Sequence, residues 1–499
     1  MGPSASRFCL IVSISLSNRS TDVVVFITAM IYSIAVMSTG KVRIMMSEDE
    51  VADWLYDKVA ATLAADHTMG DMEKAIDWQS LEVRRKVLER LTQAAARREA
   101  FDCPTCDRSL NVVDHHRQRT VDSSFGEVRF ARSYGCCTSC QEHFAPADVA
   151  LGLHDRAPAS PRVQEICALT VLRAPAGQAE DDVRRLTGIQ VGASTLHREA
   201  RRQGERTLEI RDADEQLTQN LQGVAELAAR APTLPKHTTL VIEIDAWNIR
   251  ERDHWGKTQA LLKAGEDSGR WHWVYTGTVF RLDQRGTTES GRPMIADRGY
   301  VATRRGIDSF QRQLYAEALQ RGFLAAETVL ILADGAIWIW NLADDRFKDA
   351  KQRVDLHHVQ EHLWNLAGEL YGKGTPEAHA WVRPYLQWLE KRKEGALDVI
   401  HSLEQLHKNI EKFSKKERAA IGGELAYFEE HKDRMDYKTG RALGQPVGSG
   451  AIESTCSQYQ RRFKLTGQFW TLAGDEAFLA LATLHRNGRW NRLFLHDAR

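Results

Sequence analysis

The stretch TVLILADGAIWIW, Thr328 to Trp340, running on through VDLHHVQEHLW to Trp364, decides how this chain is read. The apolar run Val329 to Ala333 ends in Asp334-Gly335. Such a run closed by a turn dipeptide reads as a fully buried strand, here with a carboxylate at its C-terminal tip. Open α/β sheets carry their chemistry at that edge. A second edge lies upstream in TLVIEIDAWNI, where Asp245 closes a β-rich run, and a third carboxylate, Glu453, lies downstream in GQPVGSGAIESTCSQYQRRFKLTGQFW. Asp245, Asp334 and Glu453 are therefore expected to meet in space and hold metal ions.

Around these edges strands and helices alternate. RWHWVYTGTVFRLD follows TLVIEIDAWNI as a second strand, SFQRQLYAEALQRGF reads as a helix, and KQRVDLHHV leads from a strand into a helix carrying His357, His358 and His362. Residues 361–445 look all-helical, with PYLQWLEKRKEGALDVIHSLEQLHKNIEKF as the longest amphipathic run. The expected core is thus split into 237–360 and 446–495 by a helical insertion.

At 499 residues there is room for several cores. Lys+Arg 67 balance Asp+Glu 67, so any nucleic-acid surface must come from local clustering. Val23 to Met37 is apolar but falls short of the roughly 20 residues that span a bilayer. An ordinary cytosolic start is expected at Met45-Met46, with 1–47 as an extension of uncertain status; nothing after residue 50 looks membrane-bound. Over 48–100 the pattern is helical, with Leu81, Val87, Leu88 and Leu91 on one face and Arg84, Arg85, Arg90, Arg97 and Arg98 on others.

Within 101–150, Cys103-Pro-Thr-Cys106 and Cys137-Thr-Ser-Cys140 flank a β-pattern, FGEVRFARSYGC. Two such pairs can set four thiolates tetrahedrally about a structural Zn²⁺, as in a zinc ribbon. Cys136, His115 and His116 are alternative ligands. Eight cysteines in so long a chain do not suggest a disulfide framework.

Residues 160–206 hold three short helical patterns, with a turn at Thr187-Gly188-Ile189 and capping types at Ser194-Thr195. A helix-turn-helix has this layout, and its third segment would offer Ser194, Thr195, His197, Arg198 and Arg201 to a major groove. A three-helix packing module without DNA contact is the plain alternative. Ala231 to Pro235 reads as a linker.

Phosphodiester cleavage gathers charge on both the attacking and the leaving oxygen, and a carboxylate cluster holding two divalent cations stabilises both. Hard oxygen ligands select Mg²⁺ or Mn²⁺. Singly, each carboxylate has a plainer reading: Asp334-Gly335 is a turn, Asp245 a strand residue after Glu243, and Glu453 a first-turn acid favoured by the helix dipole.

The runs DGAIWIWNLADDRF, VDLHHVQEHLW and PVGSGAIESTCSQYQRRFKLTGQFW together resemble the catalytic core of bacterial insertion-sequence transposases of the DDE type, in the branch similar to Mutator-like elements. The resemblance covers roughly residues 100 to 495. It implies an α/β ribonuclease-H-like core with an all-helical insertion, behind a zinc-ribbon-like segment and a helix-turn-helix. It maps a catalytic triad onto Asp245, Asp334 and Glu453, and Asp355-Leu-His-His358 matches the D-x-x-H signature of the branch. His358 then either bonds a scissile phosphate, braces Asp334, or packs under the insertion. Arg461, Arg462 and Lys464 are expected to track phosphates, and Trp470 to stack on a base or pack in the core; Trp338, Trp340 and Trp364 read as core.

The implied activity is metal-dependent DNA cleavage and strand transfer at terminal inverted repeats and target DNA. It implies an oligomer, at least a dimer, working on the nucleoid in the bacterial cytoplasm without a membrane. A metal nuclease sharing the fold, or a catalytically silent DNA-binding regulator, are the rival classes.

Overall fold

The computed structural model describes residues 47–97, 102–103, 106, 108–153, 157–253, 256–265 and 271–494. The apolar segment Val23 to Met37 and the start expected at Met45-Met46 lie outside them, as do Arg98, Pro104 and Thr105. The described residues form two compact units, within Met1–Ile166 plus Val183–Val191 and within Cys167–Asp182 plus Gly192–Arg499. Among them no helix is long and apolar enough to cross a membrane.

The first unit opens on α1 (Glu48–Ala60) and α2 (Met69–Ala96), each started by a capping box, Ser47 with Glu50 and Thr68 with Asp71. These reciprocal bonds satisfy donors that a helix start otherwise leaves orphaned. Then come β1 (Leu110–Ser123), β2 (Gly126–Cys137), β3 (His143–Phe144) and α3 (Pro146–Ala150), the strands forming an antiparallel sheet in the order β1-β2-β3. The Gln93 side chain donates to and accepts from the main chain of Ala131, both at 2.9 Å, so α2 satisfies the open edge of β2 as a strand would. Ala96, Val121, Phe130, Ala147 and Leu153 form the small core behind it.

The expected DNA-binding span contains α4 (Pro161–Arg173), α5 (Ala176–Thr187) and α6 (Ala193–Leu217), followed by α7 (Leu221–Ala229). Its helices are divided between the two units, and α6 runs well past the expected end at 206.

The second unit is built on a five-stranded sheet of order β10-β9-β4-β5-β8. Its strands and flanking elements are β4 (Thr239–Arg250), α8 (Thr258–Lys263), β5 (Trp271–Arg281), the small hairpin β6 (Arg285–Thr287) and β7 (Pro293–Ile295), β8 (Arg298–Thr303), α9 (Ile307–Gln320), β9 (Thr328–Ala333), α10 (Ile337–Arg346) and β10 (Lys351–Val354). β4, β9 and β10 run parallel, while β5 and β8 make the antiparallel half. Leu240, Ile242 and Ile244 alternate along β4 and bury one face with Ile331, Ala333, Phe310, Leu314 and Ile339, the period-2 pattern of a sheet packed under helices. Trp340 is buried in this core, and Trp338 and Trp364 pack against it.

β4 continues to Arg250, so Asp245 is not at a strand tip as the sequence suggested. It sits where the parallel partner β9 stops and only β5 continues.

The insertion is helical as expected: α11 (Leu356–Tyr371), α12 (Pro376–Lys391), α13 (Gly395–Lys408), α14 (Lys415–His431) and α15 (Tyr437–Ala442). The long run from Pro384 is broken where Arg392 leaves the helical region at φ −111, ψ 141. α16 (Gly450–Phe463) and α17 (Leu472–Arg486) return the chain to the sheet. A Cβ at Gly204 would lie 2.6 Å from the Ala477 carbonyl, so only glycine lets α6 approach α17 this closely.

Candidate metal centres and nucleic-acid surface

In the first unit two cysteine knuckles are built alike. The Cys103 N–H donates to the Arg108 carbonyl and the Cys137 N–H to the Glu142 carbonyl, both at 2.8 Å. In each pair the first cysteine is buried and the second half-buried. Cys103 and Cys140 sulfurs are 3.5 Å apart, Cys106 and Cys137 3.4 Å, Cys106 and Cys140 4.0 Å. Tetrahedral zinc with Zn–S near 2.3 Å sets its sulfurs about 3.8 Å apart, so these four thiols can hold a metal ion such as zinc. Main-chain N–H groups of Cys140 and Ser139 bring the Cys137 thiol down to about 6, towards the ligating thiolate form. Cys136 turns its thiol to the Cys137 carbonyl, His115 and His116 stand exposed on β1, and none joins the cluster.

In the second unit the sheet register brings carboxylates together. Ile244, Ala333 and Val354 form one row across β4, β9 and β10, so Asp245, Asp334 and Asp355 each follow it by one residue on three neighbouring parallel strands. Adjacent strands lie about 4.8 Å apart. The Ala246 N–H donates to Asp245 Oδ1 at 2.7 Å and the Ala336 N–H to Asp334 Oδ1 at 3.0 Å, fixing both side chains.

Glu453 comes to this edge on the first turn of α16, and two buried acids seat that turn. The Ile452 N–H donates to Glu243 Oε2 at 2.8 Å. The Ser449 N–H donates to Asp355 Oδ2, whose other oxygen accepts from His357 N at 2.5 Å and His358 N at 3.1 Å. Asp355 also donates its own N–H to the Ala333 carbonyl at 2.7 Å. One fully buried aspartate thus ties the end of β9 through its N–H, and the start of α11 and the turn before α16 through its carboxylate.

The charges answer to one another. Burial, reinforced by the charge of Asp334, raises the Asp245 carboxyl above its ordinary value; the Ala246 N–H, Cys456 and His358 oppose this. Cys456, one turn beyond Glu453, is raised by burial and by the charges of Asp245 and Glu453. Burial pushes Glu243 up to about 8. Among the described residues only the four cysteines put ligand atoms of three or more such groups within 4.8 Å of one another. Asp245, Asp334 and Glu453, expected to meet as metal ligands, thus do not bring their ligand atoms within 4.8 Å of one another and stand as a rim at the sheet edge. Glu453 is exposed and takes a bond from Ser449 Oγ at 3.4 Å. His358 is half-buried, with its Nδ1 3.6 Å from Glu361.

The insertion adds residues that the sequence did not single out. A Cβ at Gly335, which sits at φ +105, would lie 3.2 Å from Tyr427 Oη and 3.6 Å from His431 Nε2, so only glycine lets α14 reach the strand tip. The Tyr427 ring stacks on His362 at 3.8 Å, and His362 bonds Glu424 at 2.8 Å. Tyr427 Oη and His431 Nδ1 are buried and find no partner within the described chain. Burial and the charge of Asp334 hold the Tyr427 hydroxyl protonated, while burial lowers the His431 imidazole.

Of the expected nucleic-acid contacts, Ser194, His197, Arg198 and Arg201 lie exposed along α6 and Thr195 is half-buried, accepting from Arg198 at 3.2 Å. Arg201 pairs with Glu205, and the His197 ring leans on Phe478. Arg461 and Lys464 are exposed. Arg462 and Trp470 turn inward: the guanidinium donates to the Val171 carbonyl at 2.7 and 3.0 Å, and the buried indole donates to the Phe463 carbonyl at 2.9 Å. Neither is free to meet DNA in this arrangement. No family model and no curated protein matches the chain.

Proposed function

We propose that this protein is a DDE-type DNA transposase whose second unit carries a ribonuclease-H-like core, cleaving DNA at element ends and joining those ends to a target. One observation carries the reading. Asp245 and Asp334 follow the same row of a parallel sheet, and buried Glu243 and Asp355 seat the helix turn bearing Glu453 beside them. The helical segment between His358 and Glu453 supports the insertion that the resemblance implies.

Asp245, Asp334 and Glu453 offer hard oxygen donors suited to Mg²⁺ or Mn²⁺. Such ions, when bound, neutralise charge on the attacking and leaving oxygens of a phosphodiester. The fit rests on charge: burial and the neighbouring Asp334 raise the Asp245 carboxyl, and a bound cation would favour its ionised form. Asp355 and Glu243 position; they hold α16 and α11 against the sheet and so fix Glu453 and His358 at the rim. His358, half-buried on the first turn of α11, would donate to a phosphate oxygen. Exposed Arg461 and Lys464 lie along the same helix end and track the backbone.

In the first unit the four thiols hold Zn²⁺ as a structural ion. With the exposed face of α6 it locates the terminal inverted repeats, and two ends handled together require at least a dimer.

The test uses labelled DNA carrying the element's ends, with Mg²⁺ and a target plasmid. Nicking followed by joined products is expected. Asp334→Asn should lower nicking on the order of a thousandfold, several kcal/mol of transition-state stabilisation. Nicking without joining would make the protein a nuclease, and wild-type nicking equal to that of Asp334→Asn would end the catalytic reading.

A further inference from the structure

Beyond the row Ile244–Ala333 strand β4 loses β9 and meets a parallel neighbour again only at its end, through the main chain of Trp470, and beyond Tyr275–Thr303 strand β5 loses β8. Residues 246–250 and 271–274 therefore project from the sheet as a two-stranded ribbon rooted at Asp245. Its sides differ. One carries Trp247, Ile249 and Val274, buried, with Trp247 against Phe463 of α16. The other pairs Asn248 with Trp273 and Arg250 with Trp271, and these two tryptophans are 53% and 55% exposed.

Tryptophan is seldom left half in water, and singly exposed apolar residues need no explanation, but two on one face of a ribbon do. Cations are interleaved with these rings. The Arg250 guanidinium lies 5.7 Å from the Trp271 ring and 4.6 Å from that of Phe469. Lys464 Nζ reaches the Trp271 and Trp247 rings at 6.0 and 5.6 Å. Flat rings with cations beside them match a strand whose bases are unstacked and whose phosphates run alongside. At about 3.3 Å per strand residue the two rows stand roughly 10 and 17 Å beyond Asp245, a reach of a few nucleotides.

We propose that Trp271 and Trp273, with Arg250 and Lys464, form a stacking platform for unpaired bases of the DNA strand flanking the cut. The proposal rests on the DNA-cleaving reading for its placement and on the ribbon for its chemistry. It moves base stacking from the buried Trp470 to a surface the sequence had read only as a strand.

The experiment uses the full chain, a short labelled oligothymidine, a duplex of equal length, and a strand carrying 2-aminopurine, whose fluorescence is quenched on stacking. Stacking contributes about 1–3 kcal/mol per base, so W271A/W273A should weaken single-strand binding at least tenfold. Duplex affinity should stay within twofold, the quench should vanish, and W271F/W273F should restore most of both. Unchanged single-strand affinity in W271A/W273A, equal loss on single strand and duplex, or no single-strand binding by the wild type overturns the platform. So does a dimer turned monomer by W271A/W273A at unchanged single-strand affinity, which would make the face a contact between copies. Mg²⁺-dependent nicking by the wild type is followed in parallel. Tryptophan-dependent binding without nicking sustains the platform and sinks the cleavage reading; nicking with tryptophan-independent binding does the reverse.

Discussion

The thiol cluster of the first unit and the carboxylate rim of the second are both sets of potential ligands, but they are assembled in opposite ways. Each knuckle closes on its own main-chain bond within six residues, and one hairpin, β1–β2, brings the two together so that sulfurs of one stand 3.4 to 4.0 Å from those of the other. The rim draws on three distant segments, and the bonds that seat Glu453 span 209 and 94 residues. Its members stop short of a cage. A tight set has room for one ion and nothing more, as a structural site needs; an open one leaves space for ions and a phosphate.

The largest expected effect would break this contrast at its closed end. Cys137→Ser, or a strong chelator, should cost the chain about one equivalent of zinc and unfold the β1–β2–β3 region, since structural zinc contributes on the order of 10 kcal/mol in small domains. Metal analysis beside circular dichroism checks this; an unchanged melt and a metal-free wild type would remove the zinc.

Next in size is Asp355→Ala. It strips acceptors from the N–H groups of His357, His358 and Ser449, and should cost about 3 kcal/mol in denaturant unfolding. DNA cleavage should fall further than the folded fraction does. Loss of stability alone, with cleavage per folded molecule intact, would mean that the rim does not depend on this tie.

A buried carboxyl away from the rim provides a control. Burial and the charge of Glu251 push Asp475 on α17 up to about 9 from an ordinary 3.8. A carboxyl raised on folding lends stability that is fully present below its unfolded value and is lost as pH climbs to the folded one. Wild-type stability should therefore decline from pH 4 to pH 9 more steeply than that of Asp475→Asn. Parallel slopes in urea titrations would show that Asp475 ionises normally.

The smallest stability change is expected at the insertion's edge. Tyr427→Phe removes a buried hydroxyl with no partner in the described chain, so stability should move by no more than about 1 kcal/mol, and upwards. A tenfold drop in cleavage at unchanged DNA affinity would place Tyr427 at the reacting end of the rim; unchanged cleavage would leave it a packing residue.

Much of the closed site was legible because its signal is local: a CxxC pair needs only its own turn. The β9 tip was legible for the same reason, as an apolar run ended by Asp334-Gly335. What escaped lies in contacts between segments. Asp355 was visible only as part of a signature, and nothing nearby in sequence says that it receives an N–H from Ser449. Tyr427 and His431 carry no motif, and they matter because Gly335 lets α14 come close. Two errors had local remedies. Ala246 to Ile249 continues the β-alternation past Asp245. Arg462 stands three residues after the buried Tyr459 and next to Phe463, on the inward stripe of α16, while Arg461 and Lys464 flank it.

Glu243 lies in the middle of the first strand of the sheet, with a buried carboxyl whose donor arrives only when Ile452 is in place. A chain cut short before residue 446 would keep every strand yet lose the turn that covers and bonds this acid. The face of the central strand that carries Glu243 is thus completed by a segment 209 residues further along the sequence. A half-made copy emerging from the ribosome would lack both Glu453 and the turn that seats it, so the carboxylate set would be complete only when synthesis is nearly finished.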